Sequence, residues 1–240
     1  MNLGVIQGRY FFLVFVTLAV LHVGVAPAQA QFEGVIETEN ITTDEVGEKV
    51  YFVMTMWIKD SLLKIQSVYR GDNPSSTMIY RNDLGVIWML NELAKSYFEI
   101  KQEGEPQNIP QPFPRDKTDQ FKVTKTGKKK KILGYSCEQV ILKRRGELTE
   151  IWGTKSLVQV SRSLAKTTGE ESSTGSDDWN TELRKMNIFP LYASTSLDNV
   201  LVELQEVKKL DMRGLPMELF EIPQGYRKQK LDEMFDPENK

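Results

Sequence analysis

The sequence predicts a mainly β protein of the α+β class, in which a strongly curved antiparallel sheet carries short helices packed on one side. Short apolar runs separated by polar or Gly-containing turns recur from residue 32 to residue 153, a pattern typical of consecutive strands. Helical periodicity begins only after residue 155, and Val200–Val207 returns to strand-like alternation. We therefore expect residues 31–228 to form a single domain.

Residues 1–30 have the pattern of a secretory signal peptide. One charged residue, Arg9, precedes an apolar run from Tyr10 to Val25, and Ala28 and Ala30 supply the small residues of a cleavage site. A membrane anchor is disfavoured because the uninterrupted apolar stretch is shorter than the roughly 20 residues of a spanning helix. We expect cleavage after Ala30 and export to the periplasm or the medium, as a soluble protein at most peripheral to a membrane.

The composition excludes several classes of function. The only histidine, His22, lies in the segment that we expect to be removed, and the only cysteine is Cys137. Histidine-based catalysis, histidine metal ligation and an intramolecular disulfide are therefore not expected. The chain has 31 Lys and Arg against 33 Asp and Glu, a balance that gives no electrostatic reason to expect nucleic acid as a partner. We expect no enzymatic activity and no cofactor.

Six strands are predicted in the first half of the domain. The polar turn Lys59–Ser61 joins two of them as a hairpin, and Asn82–Gly85 places glycine in a second turn. Gly71–Ser76 has the composition of a loop. The six predicted strands are Phe32–Glu39, Val50–Ile58, Leu62–Val68, Thr77–Arg81, Val86–Leu90 and Ser96–Ile100.

The second half begins with an irregular segment, Gly104–Pro114, that is expected to cross the surface and is called the Pro-rich crossing below. Its four prolines remove the backbone donors that regular structure needs. Strands resume after it, Leu215–Tyr226 closes the domain, and residues 229–240 form a polar tail. The strands predicted here are Phe121–Thr126, Lys129–Leu133, Tyr135–Lys143, Leu148–Gly153 and Val200–Val207.

Residues 157–188 are predicted to be a helical and low-complexity insertion. Leu157–Ala165 and residues 177–187 have helical patterns, and Thr167–Ser176, between them, is rich in Gly, Ser, Thr and Glu. Ser176 is a suitable N-cap for the second helix. Its apolar residues follow i, i+4, i+7 spacing and lie on one stripe, which we expect to pack on the sheet. These residues are Trp179, Leu183 and Met186.

Several segments together resemble the bacterial secreted family called domain of unknown function 4412. They are Phe32–Ile36, Gly134–Glu138, Glu150–Lys155 and Leu215–Tyr226. The family is similar to the periplasmic lipoprotein carriers and the outer-membrane lipoprotein receptor. The resemblance implies an unclosed antiparallel half-barrel whose concave apolar face is covered by helices, and it supplies no catalytic residues.

The predicted strands contain more large apolar side chains, several of them Met, than a sheet that is buried on only one face would need. Alternation distributes them over both faces, so other parts of the chain must cover each face. Helices and loops could do so and make an ordinary core; alternatively, flexible Met side chains could line a ligand cavity. The candidate cavity residues are Met54, Met56, Trp57, Met78, Trp88 and Met89 in strands and Trp179, Leu183 and Met186 in the second helix.

Other groups that could carry chemistry have structural explanations. Cys137 is expected to be a small buried hydrophobe without a charged neighbour that favours the thiolate. The run Lys128–Lys131 is expected to be a solvated strand end that discourages edge pairing. The paired carboxylates lack the spacing of a calcium loop, and no metal site is expected. These pairs are Glu203 with Glu206 and Asp177 with Asp178.

The leading hypothesis is an exported, non-enzymatic binding protein that holds an apolar ligand, a lipid or an acylated protein, in the half-barrel. It predicts a cavity of at least about 300 Å³ between sheet and helices. The alternative is a cell-envelope protein-interaction module with a filled core, in which the Pro-rich crossing and the insertion form the recognition surface.

Overall fold

The computed structural model describes residues 32–44, 46–71, 75–102, 120–168 and 179–230. The chain divides into two units, residues 1–30 and 31–240, and every described element lies in the second. The predicted signal peptide, the Pro-rich crossing, most of the Gly/Ser-rich stretch and nearly all of the polar tail lie outside the described residues.

Twelve strands and two α-helices make up the described part of the domain. The strands are β1 (Gly34–Thr43), β2 (Lys49–Lys59), β3 (Leu62–Tyr69), β4 (Ser76–Arg81), β5 (Val86–Asn91), β6 (Ser96–Lys101), β7 (Lys122–Ile132), β8 (Tyr135–Arg144), β9 (Glu147–Thr154), β10 (Phe189–Leu197), β11 (Val200–Met212) and β12 (Arg227–Gln229). The helices are α1 (Val158–Thr168) and α2 (Trp179–Met186), and Met217–Phe220 forms a 3₁₀ turn.

The strands form one sheet in the order β12-β6-β5-β4-β3-β2-β1-β11-β10-β9-β8-β7. All neighbours are antiparallel except β12 and β6, which pair in parallel. Among the described residues β7 and β12 remain the two edges, so the sheet does not close into a barrel. Irregular pairing at Glu37/Thr38, Pro190/Tyr192 and Thr195/Ser196 marks bulges, which bend strands and increase their twist. The predicted mainly β, unclosed half-barrel is confirmed.

The inner face of the sheet, which carries Ile36, Met56 and Leu63, packs against the helices. Pairing in register aligns its side chains into a row that crosses six strands. This inner row consists of Ile36, Met56, Ile65, Met78, Met89 and Phe98. Five consecutive strands of the sheet, from β3 through β2, β1 and β11 to β10, line one cleft beneath the helices, so the helices lie on the concave side.

The two helices cover different parts of the inner face. Leu157, just before α1, and Val160 within it join the cluster that contains Ile36 and Met56. Trp179 and Leu183 of α2 pack over strands β8–β10 instead. Helix α2 ends at Met186. The next residue, Asn187, has a positive φ of 55°, and the Ile188 amide donates to the Leu183 carbonyl, a common arrangement at a helix C-terminus.

The C-terminal segment, residues 215–226, covers the outer face of the sheet. Leu215 and Phe220 are buried in a cluster with Val35, Ile79 and Trp88. The outer face of strands β2–β5 is therefore shielded and the helices cover part of the inner face, which accounts for apolar residues at successive positions along those strands.

Three elements differ from the sequence prediction, and one of them is β12 (Arg227–Gln229), a strand that was not predicted. Phe121–Thr126 and Lys129–Leu133 were expected to be separate strands, but β7 is continuous and bulged at Gly127, where φ is 77°. Strand β10 was not predicted. It joins β11 through Asp198 and Asn199, both with positive φ, the conformation that a two-residue type I′ hairpin requires.

Candidate functional site

A cleft of about 270 Å³ lies between the inner face and the two helices. Its floor comes from three neighbouring parts of the sheet: Met54 and Met56 in β2, Leu63 and Ile65 in β3, and Val207 in β11. These residues share the cleft because β1 joins β2 to β11 in the middle of the sheet. The volume is slightly below the value of about 300 Å³ expected from the sequence.

The walls of the cleft come from the helices and the start of β10. Leu164 and Ala165 line it from α1, Leu183 from α2, and Phe189 and Pro190 from β10. Because each helix packs over a different part of the sheet, part of the floor between them stays uncovered. The result is an apolar recess assembled from distant parts of the chain.

Six of the residues that line the cleft are polar, and some of them already make hydrogen bonds: Thr38, Ser161, Thr168, Asn180, Arg184 and Gln205. The Thr38 hydroxyl accepts a hydrogen bond from the Asn40 side-chain amide at 2.8 Å. Arg184, Asn180 and Gln205 are half-buried lining residues. Arg184 is the one charged residue among those that line the cleft in the described part of the chain.

The structure brings three of the nine predicted cavity residues into the cleft: Met54, Met56 and Leu183. Trp179 and Met186 lie on α2 but pack with Val140, Leu142 and Ile151. The remaining four are separated by strand alternation. Met78 and Met89 are half-buried members of the inner row, whereas Trp57 and Trp88 belong to the outer face with the C-terminal segment.

Several lining residues were missed by sequence reasoning, among them Ile65, Leu164, Arg184 and Phe189. Ile65 could have been found because it alternates with Leu63 in the same strand. Arg184 carried no such signal, since a cation in the last turn of a helix is explained by the helix dipole alone.

The contacts of Trp88 on the outer face hold neighbouring strands together and do not form a binding site. Its indole nitrogen donates to Glu99 at 3.1 Å, and its ring meets Tyr97 edge-on with centroids 6.4 Å apart. Hydrogen bonds from Lys228 and Trp88 lower the pKa of Glu99. Trp88 therefore helps to join β5, β6 and β12.

Cys137 is fully buried in the core. Burial raises the pKa of its thiol, which keeps the group protonated and poorly nucleophilic. The expectation that it has no charged neighbour was wrong: Lys130 pairs with Cys137 across β7 and β8 and favours the thiolate, although by less than burial opposes it.

The carboxyl groups with shifted pKa values are held by hydrogen bonds. The pKa is lowered for Glu33 mainly by Lys59, for Asp83 mainly by Arg81 and for Glu92 mainly by Thr77. A lowered pKa keeps a carboxylate ionised, whereas a general acid at neutral pH needs a raised one. These groups fit structural roles.

Two further properties concern the described residues only. They contain no group of three His, Cys, Asp or Glu side chains placed to hold a metal ion. Neither helix among them has the length and hydrophobicity needed to cross a bilayer.

Comparison with known proteins gives one family match. The model of the family described as "Domain of unknown function (DUF4412)" matches residues 32–226, which include the cleft and the C-terminal segment. No curated protein sequence matches this chain.

Solved structures show distant similarity. An uncharacterized conserved protein from Thermus thermophilus is 9% identical, with 82% of this chain and 91% of that chain covered and a TM-score of 0.45. PNGF-II is 11% identical, with 85% and 32% covered and a TM-score of 0.36. A DUF1329 family protein from Desulfovibrio piger is 11% identical, with 80% and 91% covered and a TM-score of 0.21.

Proposed function

This chain belongs to the DUF4412 family, and from that membership and its inner-face cleft we propose that it is an exported, non-enzymatic protein that binds an apolar ligand. The ligand is a lipid or the acyl chain of an acylated protein. The observation that carries this proposal is the recess of about 270 Å³ beneath α1 and α2, whose floor and walls are mostly aliphatic and Met side chains.

The chemistry of the lining suits a flexible chain. Met54 and Met56 have unbranched, polarisable side chains that adjust to irregular apolar shapes. Leu63, Ile65 and Leu183 supply further apolar surface. Each methylene that leaves water for such a site contributes about 0.8 kcal/mol to binding, so a short acyl chain gains substantial affinity.

The inner row offers a continuation of the cleft floor. Ile65 pairs with Met78, and Met78 pairs with Met89 on the next strand. Both Met residues are half-buried. Because neighbouring strands lie about 4.8 Å apart, this extension is roughly 10 Å long. A ligand longer than the cleft can lie along it.

The proposal includes export with removal of residues 1–30, which rests on the sequence pattern of that segment. Mass spectrometry of the protein recovered from the producing cell tests it: the mature chain should begin at Gln31. Recovery of the full-length chain would contradict cleavage after Ala30.

The ligand proposal is tested with the mature protein and the neutral fluorescent probe N-phenyl-1-naphthylamine. Replacing Ile65 by Trp fills the floor of the cleft and should weaken probe binding at least tenfold. The matched control is Val68→Trp, three residues along β3 on the outer face, where Val68 is half exposed; it should leave binding unchanged. Native mass spectrometry after mild extraction should also detect a retained apolar molecule.

Two results would overturn the proposal. One is an absence of probe binding by the folded wild-type protein. The other is equal probe affinity in the wild type and a correctly folded Ile65→Trp variant, because the probe would then bind elsewhere.

A second candidate function is a cell-envelope interaction module that recognises an envelope protein. One described feature favours it: exposed apolar residues cluster where β9, β10 and β11 meet at one end of the sheet. Leu197 pairs with Val200, and Ser196 pairs with both Leu148 and Leu201. Val200, the most exposed of the four apolar residues, is 62% exposed. Under this alternative, Val200→Lys abolishes binding to the envelope protein and the cleft variant Ile65→Trp has no effect.

A further inference from the structure

The edge strand β7 carries six lysines among its eleven residues and no acidic residue. Three of them, Lys125, Lys129 and Lys131, pair with residues that lie two apart along β8, and they therefore share one face of the sheet. Neighbouring members lie roughly 7 Å apart along the strand. These three side chains form one line of cations, called the lysine row below.

The charge of the lysine row is largely unneutralised. All three side chains are exposed. Within the described part of the chain, Lys129 is the one member with an ion pair, to Glu138 at 3.7 Å, and an exposed pair of this kind binds weakly. Lysine on an edge strand discourages pairing with another chain, but that role requires no row of cations on one face.

A second feature lies at the tip of the same hairpin. Leu133 and Gly134 form the two-residue turn between β7 and β8, with φ values of 48° and 83°. This left-handed conformation favours Asn, Asp or Gly and is strained for a bulky side chain. Leu133 is also 45% exposed. Leucine thus stabilises neither the turn nor the core at this position, which favours a functional role.

The hairpin is held firmly behind its tip. Ile132 and Tyr135, which flank the turn, pack against the main core cluster. Lys130, which alternation places on the face opposite the lysine row, lies over the rings of Trp152 and Tyr192 at 4.2 and 5.1 Å. The lysine row and Leu133 are therefore presented to solvent on a fixed part of the sheet.

We propose that the β7–β8 hairpin is a membrane-docking surface, in which the lysine row binds anionic phospholipid head groups and Leu133 enters the lipid interface between them. A lysine near an anionic leaflet contributes about fivefold to affinity, and an apolar side chain that enters the interface adds to it. An acidic protein would pair with the cations but make no use of Leu133. The cleft is lined by other strands, so this inference is independent of the ligand proposed above.

The test measures cosedimentation of the mature protein with two kinds of vesicle. One contains equal parts of phosphatidylglycerol and phosphatidylcholine, and the other contains phosphatidylcholine alone. The first variant replaces all three members of the lysine row by Gln. Its matched control replaces three exposed lysines on β6, α1 and β11, so that both proteins lose the same charge. The control positions are Lys101, Lys166 and Lys209.

We expect the wild type to bind the anionic vesicles and not the neutral ones, with an affinity that falls as salt is added. Loss of the lysine row should weaken binding roughly a hundredfold. The control should lose less than about threefold, because salt screens charges that lie far from the lipid surface.

A further variant, Leu133→Asn, tests the tip alone. It should weaken binding to the anionic vesicles at least about threefold, because less apolar surface leaves water. The urea midpoint should stay unchanged or rise, since Asn suits the turn better than Leu does. A merely structural role for Leu133 would lower the midpoint instead.

The inference is overturned if the wild type sediments with neither kind of vesicle or equally with both. It is also overturned if the control loses as much affinity as the variant without the lysine row. Binding to soluble polyglutamate without binding to vesicles would replace the membrane by an acidic polymer. Equal vesicle affinity in Leu133→Asn and the wild type would contradict entry of the tip into the lipid interface.

Discussion

Arg81 on β4 lies 2.7 Å from Glu221, a residue 140 positions later in the chain. The same guanidinium donates to the Phe220 carbonyl at 3.3 Å and to Asp83 at 2.8 Å, and it lies over the Trp88 ring. The Arg81 side chain is only 7% exposed. One buried cation thus fixes the place where the C-terminal segment crosses the outer face.

Replacing Arg81 by Met should lower the free energy of unfolding by about 2 kcal/mol, because hydrogen bonds to a charged group are lost and a carbonyl is left without its donor. The loss stays below that of a fully buried ion pair because Asp83 and Glu221 are partly exposed. Urea unfolding measures the change. Arg213→Met is the control: Arg213 is 56% exposed and 3.5 Å from Asp211, and its loss should cost less than about 0.5 kcal/mol. Equal effects would mean that apolar contacts alone hold the segment.

Acid should weaken the hydrogen bonds by which Glu33 holds Leu215, the first residue of the C-terminal segment. The Lys59 ammonium and the Leu215 amide donate to Glu33 and hold its pKa below the ordinary value of 4.5. Because the pKa is lower in the folded than in the unfolded state, the stabilisation is complete above pH 4.5 and is lost as pH falls through the folded-state pKa.

The stability difference between the wild type and Glu33→Gln should therefore be largest at neutral pH and shrink below pH 4.5, the ordinary pKa of a glutamate. Urea unfolding across that range measures it. Glu218→Gln, at an exposed position of the same segment, should show almost no difference at neutral pH. A Glu33→Gln effect that grows on acidification would contradict the assignment.

Cys137 should resist thiol reagents in the folded protein, because it is buried and its pKa is raised. Labelling with a chromogenic disulfide should become rapid only in denaturant. Cys137→Ser should cost about 1–3 kcal/mol by burying a hydroxyl in an apolar site, with probe binding retained. Rapid labelling under native conditions would show that the β7–β8 region opens locally.

Leu183 should behave as core and not as part of a separable lid. It is buried with Val140 and Ile151 on one side and lines the cleft on the other. Leu183→Ala should cost about 2–5 kcal/mol and also weaken probe binding. Met186→Ala, on the same helix but outside the cleft, should cost less and leave binding unchanged. A Leu183→Ala protein of unchanged stability that has lost the probe would show that α2 moves independently.

Gly153 allows β9 to approach the start of β10 closely. A Cβ at this position would lie 2.3 Å from Ile188 Cγ2 and 2.8 Å from the Phe189 carbonyl oxygen. A backbone oxygen cannot rotate away, so Gly153→Ala should cost about 1–3 kcal/mol. Because Ile188 and Phe189 line the cleft, binding should weaken too. Gly214→Ala, where the nearest atom is 4.0 Å away, should be neutral or slightly stabilising; similar losses in both variants would refute the steric explanation.

Strand alternation predicted that Met56 and Trp57 face opposite sides, but it could not say which side holds a cleft. That depends on contacts between distant parts of the chain: residues 215–226 cover Trp57 and Trp88, and α1 approaches Met56. Similarly, the single apolar stripe of α2 was predictable from spacing. Its position over β8–β10 was not, because no local pattern encodes a packing partner.

Strand β10 was missed because its polar residues weaken the strand signal. Its sequence contains Pro190 near the start and is rich in Ser and Thr toward the end. The turn Asp198–Asn199 offered a usable signal, since Asp and Asn tolerate the left-handed conformation observed there. Together with the clear alternation of β11, that turn would have predicted the hairpin.

The central position of β1 has a consequence for how the protein is made. Gly34 pairs with Met212, so the ribosome must complete most of the chain before the first strand gains its second neighbour. Until then one edge of β1 stays open and Ile36 lacks the side chains of β11. Pairing over such a sequence separation delays folding. A nascent chain with late pairing of β1 and β11 stays unfolded for longer, and an unfolded chain is what the export proposed above requires.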